Sequence, residues 1–178
     1  MLICAVMDGF SSSIRDLRTH DIILHEIKGC KYKLIWRRGN AFRFGTRAIR
    51  KFIVKNQSKD NILLLVGKSL GGKEIINNVL NKLPTLNYST INLLTLDPCW
   101  PLLTDWTPNL NDYELEVTYP INKGINLQVI GTPNQQCGAK VVGPNIKNVE
   151  IFNSDHYSII VNPEVKVAIR RLIFNTDF

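Results

Sequence analysis

The chain has 178 residues, of which 44% are hydrophobic, and its formal net charge is +7. We therefore expect one globular domain over residues 1–178 with a substantial core. No apolar run approaches the roughly 20 residues that a membrane-spanning helix needs, and no cleavable basic leader is seen, so we expect a cytoplasmic location without stable membrane insertion. The basic residues are scattered and no nucleic-acid motif accompanies them, so we expect no nucleic-acid partner.

The first third of the chain alternates between strand and helix patterns. The apolar run Leu2–Met7 predicts a strand, which leads into a loop that contains Gly9-Phe10. Ser13 is a candidate N-cap for the helix that follows. Tyr32–Trp36 reads as the second strand, and the spacing of apolar residues predicts a helix over Phe44–Val54.

The next segment carries the motif that suggests chemistry. A strand over Ile62–Val66 leads into Gly67-Lys68-Ser69-Leu70-Gly71, and a helical repeat of apolar residues follows through Leu83. Gly-x-Ser-x-Gly between a strand and a helix is the pattern of a nucleophile elbow. The sharp turn strains the serine backbone and leaves no room for side chains at Gly67 and Gly71. Ser69 is therefore a candidate nucleophile.

This turn has two other interpretations. It could be an ordinary strand-to-helix connection without chemistry. Gly67-Lys68-Ser69 also resembles the end of a phosphate-binding loop, but that motif needs a glycine at position 62, where this chain has Ile62. Without a glycine-rich loop there are no free backbone N–H groups to hold phosphate, so we do not expect nucleotide binding.

The fourth predicted strand, Ile91–Leu96, ends at Asp97-Pro98, because proline cannot continue a central strand. The longest irregular section then runs over Cys99–Lys123. Its aromatic and apolar residues, including Trp100 and Leu102, could form an acyl-binding wall or a short helix packed on the core. Both alternatives stay open at this point.

The last third of the chain completes the pattern. Strands are predicted over Tyr113–Thr118, Asn126–Gly131 and Val149–Phe152, and Asn162-Pro163 predicts the start of a C-terminal helix. About six strands alternating with helices predict a parallel sheet. Side chains at the carboxyl ends of such strands share one edge of the sheet.

Three residues with complementary chemistry are predicted at that edge, in the order Ser69, Asp97, His156. This is the chain order of nucleophile, acid and base in one class of catalytic triad. Asp155 is adjacent to His156 and would reach its ring only with difficulty. Asp105, in the long loop, is a reserve candidate for the acid.

These motifs together resemble the α/β-hydrolase superfamily, in particular a compact lipase- or esterase-like member without a cap domain. The resemblance rests on the elbow, on Gly9-Phe10, on Asp97 and on His156. It departs from the common pattern at Asp8, where histidine is usual, at Lys68, and in the early position of the acid. It implies a three-layer α/β sandwich of about six mostly parallel strands with helices on both faces.

The resemblance also implies a reaction. Ser69 would attack a carboxylic ester, possibly of a lipid, to form an acyl-enzyme, and the backbone N–H groups of Phe10 and Leu70 would form the oxyanion hole. No metal or organic cofactor is needed. A thioesterase or acyltransferase would use the same residues, and a non-catalytic binding module on the same fold is a further alternative.

The four cysteines lack the spacing of a metal site. Cys4 lies in an apolar strand and is expected in the core. Cys99 and Cys137 fall in loops that could approach each other, so they are candidates for a disulfide, although a cytoplasmic location argues against one.

Overall fold

The computed structural model describes residues 1–9, 19–38, 42–99, 114–130 and 138–174. Its main sheet has six strands in the order β2-β1-β3-β4-β6-β8, and every adjacent pair in that sheet is parallel. A separate pair, β5 and β7, is also parallel. The strands are β1 (Leu2–Asp8), β2 (Tyr32–Arg38), β3 (Ser58–Lys68), β4 (Tyr88–Leu96), β5 (Glu114–Glu116), β6 (Lys123–Val129), β7 (Lys140–Val142) and β8 (Ile146–Ile151).

Helices cover both faces of the main sheet. They are α1 (Thr19–Glu26), α2 (Phe42–Lys55), α3 (Leu70–Glu74) and α4 (Pro163–Phe174). Buried residues of α1 and α4 share one apolar cluster, whereas those of α2 and of the segment after α3 share a second cluster on the opposite face. The predicted α/β architecture with a parallel sheet between helical layers is therefore confirmed.

Strand β1 shows why the sheet is buried on both sides. Leu2, Cys4 and Val6 point into the cluster of α1 and α4, whereas Ile3 and Met7 point into the other cluster. This alternation follows from the two-residue period of a strand. Burial raises the pKa of the Cys4 thiol to about 12, as expected for a core cysteine.

The strand order reverses direction at β1. The chain moves outward from β1 to β2, and then returns to place β3 on the other side of β1. A ligand crevice forms outside the carboxyl ends of the strands at such a switch point. Met7 of β1 is paired in register with Gly67 of β3, so the turn that follows β3 lies at this crevice.

Several element boundaries differ from the predicted ones. After α3 the backbone continues as a π-helix over Ile75–Val79 and a 3-10 turn over Leu80–Lys82, where the apolar spacing predicts a regular helix. The predicted strand over Tyr113–Thr118 is represented by β5, outside the main sheet, and its partner β7 was not predicted. The predicted N-cap Ser13 lies outside the described residues.

A series of buried and part-buried side-chain hydrogen bonds connects β4, β6 and β8 of the main sheet to β7. Thr95 Oγ1 in β4 donates to Asn126 Oδ1 in β6 at 2.6 Å. Asn126 Nδ2 donates to Asn148 Oδ1 in β8 at 2.8 Å, and Asn148 Nδ2 donates to the Val141 carbonyl at 2.9 Å. These bonds satisfy the polar groups that the core would otherwise leave unpaired.

At the end of the chain, Asn162 Oδ1 accepts the Glu164 N–H at 3.0 Å, which is the N-cap predicted for α4. Across the part of the chain that the structure describes, no helix is both long and apolar enough to cross a membrane.

Candidate active site

Ser69 lies at the sharp turn between β3 and α3. Its backbone has φ 57° and ψ −134°, a conformation that L-residues rarely adopt. The two flanking glycines make this turn possible. A Cβ at Gly67 would lie 2.5 Å from the Gly72 Cα, and a Cβ at Gly71 would overlap the Met7 carbonyl of β1. The predicted steric reason for Gly-x-Ser-x-Gly therefore holds in this structure.

Gly9, the residue directly after β1, lies against this turn. A Cβ at Gly9 would lie 2.7 Å from Ser69 Oγ, so only glycine leaves the hydroxyl uncovered. The preceding Asp8 is buried, and its Oδ2 accepts a hydrogen bond from Trp36 Nε1 at 2.6 Å. This bond joins the carboxyl ends of β1 and β2. Phe10, the predicted second oxyanion donor, lies outside the described residues.

Asp97 follows β4 and is only 1% exposed. Its backbone also has a positive φ, 46°, and its N–H donates to the Leu127 carbonyl at 2.7 Å. One carboxylate oxygen, Oδ1, accepts the Val129 N–H at 3.0 Å. The other, Oδ2, accepts a hydrogen bond from His156 Nδ1 at 2.6 Å. The carboxylate is thus fixed by β6 on one side and engages the histidine on the other.

His156 lies in the loop after β8 and is partly exposed. The adjacent Asp155 has a different role, because its Oδ1 accepts the N–H groups of Ser158 at 2.7 Å and Tyr157 at 2.8 Å. The bond from the Ser158 N–H is the main reason why the pKa of Asp155 is below its usual range. Asp155 therefore caps the turn after His156, whereas Asp97 is the aspartate that bonds to the imidazole ring.

Cys99 brings the serine and the histidine into a common contact. Its Sγ lies 3.2 Å from Ser69 Oγ and 3.9 Å from His156 Nε2. Ser69 Oγ and Cys99 Sγ are within hydrogen-bond distance of each other, and either atom could be the donor. The sequence indicates Cys99 only as a disulfide candidate and not as a neighbour of Ser69 and His156. The feature of the sequence that could have indicated this contact is its position two residues after Asp97, at the same edge of the sheet.

The surroundings of the histidine include a cation and an aromatic ring. Lys68 Nζ donates to the Tyr157 carbonyl at 3.5 Å, so the residue before Ser69 contacts the loop that carries His156. The Tyr157 ring meets the His156 ring edge-on, with 5.5 Å between centroids, and Tyr157 is 60% exposed. Among the described residues, no group of three or more His, Cys, Asp or Glu side chains is arranged to hold a metal ion.

Four further residues of the sequence predictions lie outside the described residues. They are Trp100, Leu102, Asp105 and Cys137. The predicted substrate wall and the reserve acid stay predictions for this reason.

Comparison with solved structures identifies the fold. A candidate hydrolase from Agrobacterium vitis S4 matches 97% of this chain and 88% of its own, with a TM-score of 0.61 and 12% sequence identity. The chain has the α/β-hydrolase fold. Est1E from Butyrivibrio proteoclasticus is also similar, with a TM-score of 0.52, 14% identity and coverage of 97% of this chain and 87% of its own. No protein-family model and no curated protein matches the sequence.

Proposed function

We propose that this protein is a serine hydrolase that cleaves carboxylic esters, including lipid esters, through an acyl-enzyme intermediate. The observation that carries the proposal is the hydrogen bond of 2.6 Å between the buried Asp97 and His156, at the same sheet edge as the strained Ser69. A nucleophile, a base and a residue that orients the base are the parts that acyl transfer by serine requires.

The hydrogen bond between Asp97 and His156 supports this assignment of roles. A carboxylate oxygen accepts hydrogen bonds, so the bond to Asp97 Oδ2 favours the imidazole tautomer with its hydrogen on Nδ1 and its lone pair on Nε2. That lone pair is the group that would take the proton of Ser69 Oγ as the oxygen attacks the ester carbonyl. The imidazolium would then protonate the departing alcohol, and water would release the acyl group by the same route.

The oxyanion that forms during attack needs donors near Ser69. Leu70 N–H follows the nucleophile and is proposed as one of them, with Phe10 N–H as the second. Each such donor contributes about 10²–10³ in rate. Gly9 supports this arrangement, because its lack of a side chain lets its own backbone, directly before Phe10 in the chain, lie close to Ser69. Trp100 and Leu102 are proposed to contact the acyl group.

The test is labelling by a fluorophosphonate probe together with hydrolysis of p-nitrophenyl esters of increasing chain length. We expect Ser69→Ala to lose both activities, because the probe and the ester react with the same oxygen. Ser89→Ala is the matched control, since Ser89 is an exposed serine at the amino end of β4, away from the site. It should keep wild-type rates.

Two results would contradict the proposal in different ways. Unchanged ester hydrolysis by Ser69→Ala would exclude Ser69 as the nucleophile. Rates equal to those of Ser69→Ala across the whole ester series, with an ester analogue still bound by the wild type, would favour a non-catalytic binding module. Transfer of the acyl group to an added alcohol or thiol in preference to water would favour an acyltransferase.

A further inference from the structure

The basic residues are scattered along the chain, but half of them fall in one segment that has no acidic residue. Residues 27–59 contain 11 of the 22 Lys and Arg and none of the 15 Asp and Glu. The rest of the chain has 11 basic and 15 acidic residues, so it is net acidic. Such an uneven distribution indicates an anionic partner more strongly than the same charge spread evenly would.

The fold gathers this charge at one edge of the main sheet. The segment contains the edge strand β2 and the helix α2, which packs on β2. Lys33 Nζ of β2 donates to Asn56 Oδ1, directly after α2, at 2.8 Å. Arg37 lies beside the first turn of the same helix, because a Cβ at Gly45 would be 3.5 Å from the Arg37 Cβ. The basic side chains of β2 therefore continue the surface of α2 near both of its ends.

Helix α2 has a buried face and a basic face. Ile53 belongs to the buried face and lies in the core. Arg47, Lys51 and Lys55 recur every four residues, so they form one row along the helix, and all three are exposed. Arg50, three residues after Arg47, lies beside that row. The helix contains no acidic residue that could offset these charges.

In the described part of the chain, no carboxylate neutralises the basic face of α2. None of its four basic side chains is in an ion pair with another described residue. Val54, which is 37% exposed, lies on the same face. A helix face with uncompensated Lys and Arg and an exposed apolar side chain fits the interface of an anionic bilayer, because the cations meet lipid phosphates and the apolar group enters the headgroup region.

We propose that the basic surface of α2 and β2 docks the protein peripherally on an anionic lipid bilayer. We define this α2–β2 surface by Lys33, Arg37, Arg47, Arg50, Lys51 and Lys55. The exposed Val54 favours a lipid over a nucleic acid as the partner, because a phosphate backbone offers it no apolar contact. The inference goes beyond the proposed function and does not depend on it.

The α2–β2 surface extends toward the candidate active site. Arg37, Met7 and Gly67 are paired in register across β2, β1 and β3. Adjacent strands are about 4.8 Å apart, so the backbone of Arg37 lies about 10 Å from that of Gly67, two residues before Ser69. A bilayer bound along this surface is therefore close to the crevice that holds Ser69.

The experiment measures co-sedimentation with phosphatidylcholine vesicles that contain about 30 mol% phosphatidylserine, with pure phosphatidylcholine vesicles as the reference. We expect binding to the anionic vesicles only. Binding at about 0.1 M NaCl should be lost at about 1 M, because the Debye length falls from about 10 Å to about 3 Å. The variant Arg47→Gln/Lys51→Gln/Lys55→Gln should bind about 10²-fold more weakly, since each basic residue near an anionic bilayer contributes about fivefold.

The matched control is Lys82→Gln/Lys147→Gln/Lys166→Gln, which removes the same charge from exposed lysines outside residues 27–59. It should bind within about fivefold of the wild type. Equal weakening by the two triple variants, or no binding of the wild type to the anionic vesicles, would overturn the inference. Tighter binding of the wild type to a DNA duplex than to the vesicles at the same salt concentration would overturn it in favour of a nucleic acid. Neither measurement uses an ester substrate, so every outcome leaves the proposed function intact.

Discussion

Two regions beside His156 each contain an aspartate. They differ in burial, in distance from His156 along the chain and in the hydrogen bonds that the aspartate accepts. The segment after β4 is buried and supplies Asp97 from 59 residues away in the chain. The loop after β8 is largely exposed and supplies Asp155, the immediate neighbour of the histidine. Asp97 bonds to the imidazole, whereas Asp155 bonds to the backbone of its own loop.

The difference shows how the fold divides two tasks between two carboxylates. A side chain adjacent in sequence cannot easily turn back to the neighbouring ring, but it is well placed to accept the next backbone N–H groups. A side chain from a neighbouring strand end can approach the ring directly. The buried segment after β4 supplies the carboxylate that bonds to His156, and the exposed loop after β8 uses its own aspartate to hold the turn that carries the histidine.

The largest expected effect is on the rate of ester hydrolysis, which should differ between variants of Asp97 and of Asp155. Asp97→Asn should lower ester hydrolysis about 10⁴-fold, because an amide in this position no longer favours the tautomer with Nδ1–H and cannot stabilise the imidazolium. Steady-state kinetics with a p-nitrophenyl ester measure the loss.

Asp155→Asn is the control for that measurement, since its amide oxygen can still accept the two backbone N–H groups. It should remain close to the wild-type rate. A loss below about tenfold in Asp97→Asn, or equal losses in both variants, would contradict the assignment of Asp97 as the acid.

A smaller effect is expected on stability. Asp155→Ala removes both hydrogen bonds from the turn after His156, and loss of a comparable capping side chain costs about 1 kcal/mol of the free energy of unfolding. Urea unfolding at neutral pH measures it. Asp60→Ala, at an exposed position near the amino end of β3, should change the stability less. Equal midpoints for the two variants would contradict the capping role.

The smallest effect is the pH dependence of that contribution. The pKa of Asp155 is lower in the folded state than in the unfolded chain, chiefly because the Ser158 N–H bonds to the carboxylate. The charge therefore stabilises the fold above the unfolded-state pKa, about 4, and this contribution is lost as the pH falls through the lowered folded-state pKa. The difference in urea midpoint between wild type and Asp155→Asn should shrink in that range. A constant difference would show that the charge does not contribute.

The sequence predicts the parts of this site that depend on local rules. Gly67 and Gly71 are needed because of contacts within one strand, one turn and the adjacent β1, so the elbow can be recognised from five residues. Asp97 could be placed at the sheet edge because Pro98 ends its strand. His156 could be placed because it follows the last strand.

Features that depend on distances between separate elements could not be predicted. Cys99 contacts Ser69 and His156 only because β3, β4 and β8 end at matching heights, and no local pattern encodes that alignment. The three-residue strand β7 is too short to show a strand period. The π-helix at Ile75–Val79 shows the same limit, since its apolar spacing fits a regular helix equally well.

The hydrogen bonds made by the amide side chains of Asn126 and Asn148 require that β6 and its neighbouring strands align to within less than one residue. Each residue advances a strand by about 3.3 Å, which exceeds the tolerance of a hydrogen bond. A slip of β6 by one residue would turn Asn126 to the other face of the sheet and would also withdraw the Val129 N–H from Asp97. The hydrogen bonds of the two asparagines thus form in one strand register only. The same register places Asp97 within hydrogen-bond distance of His156.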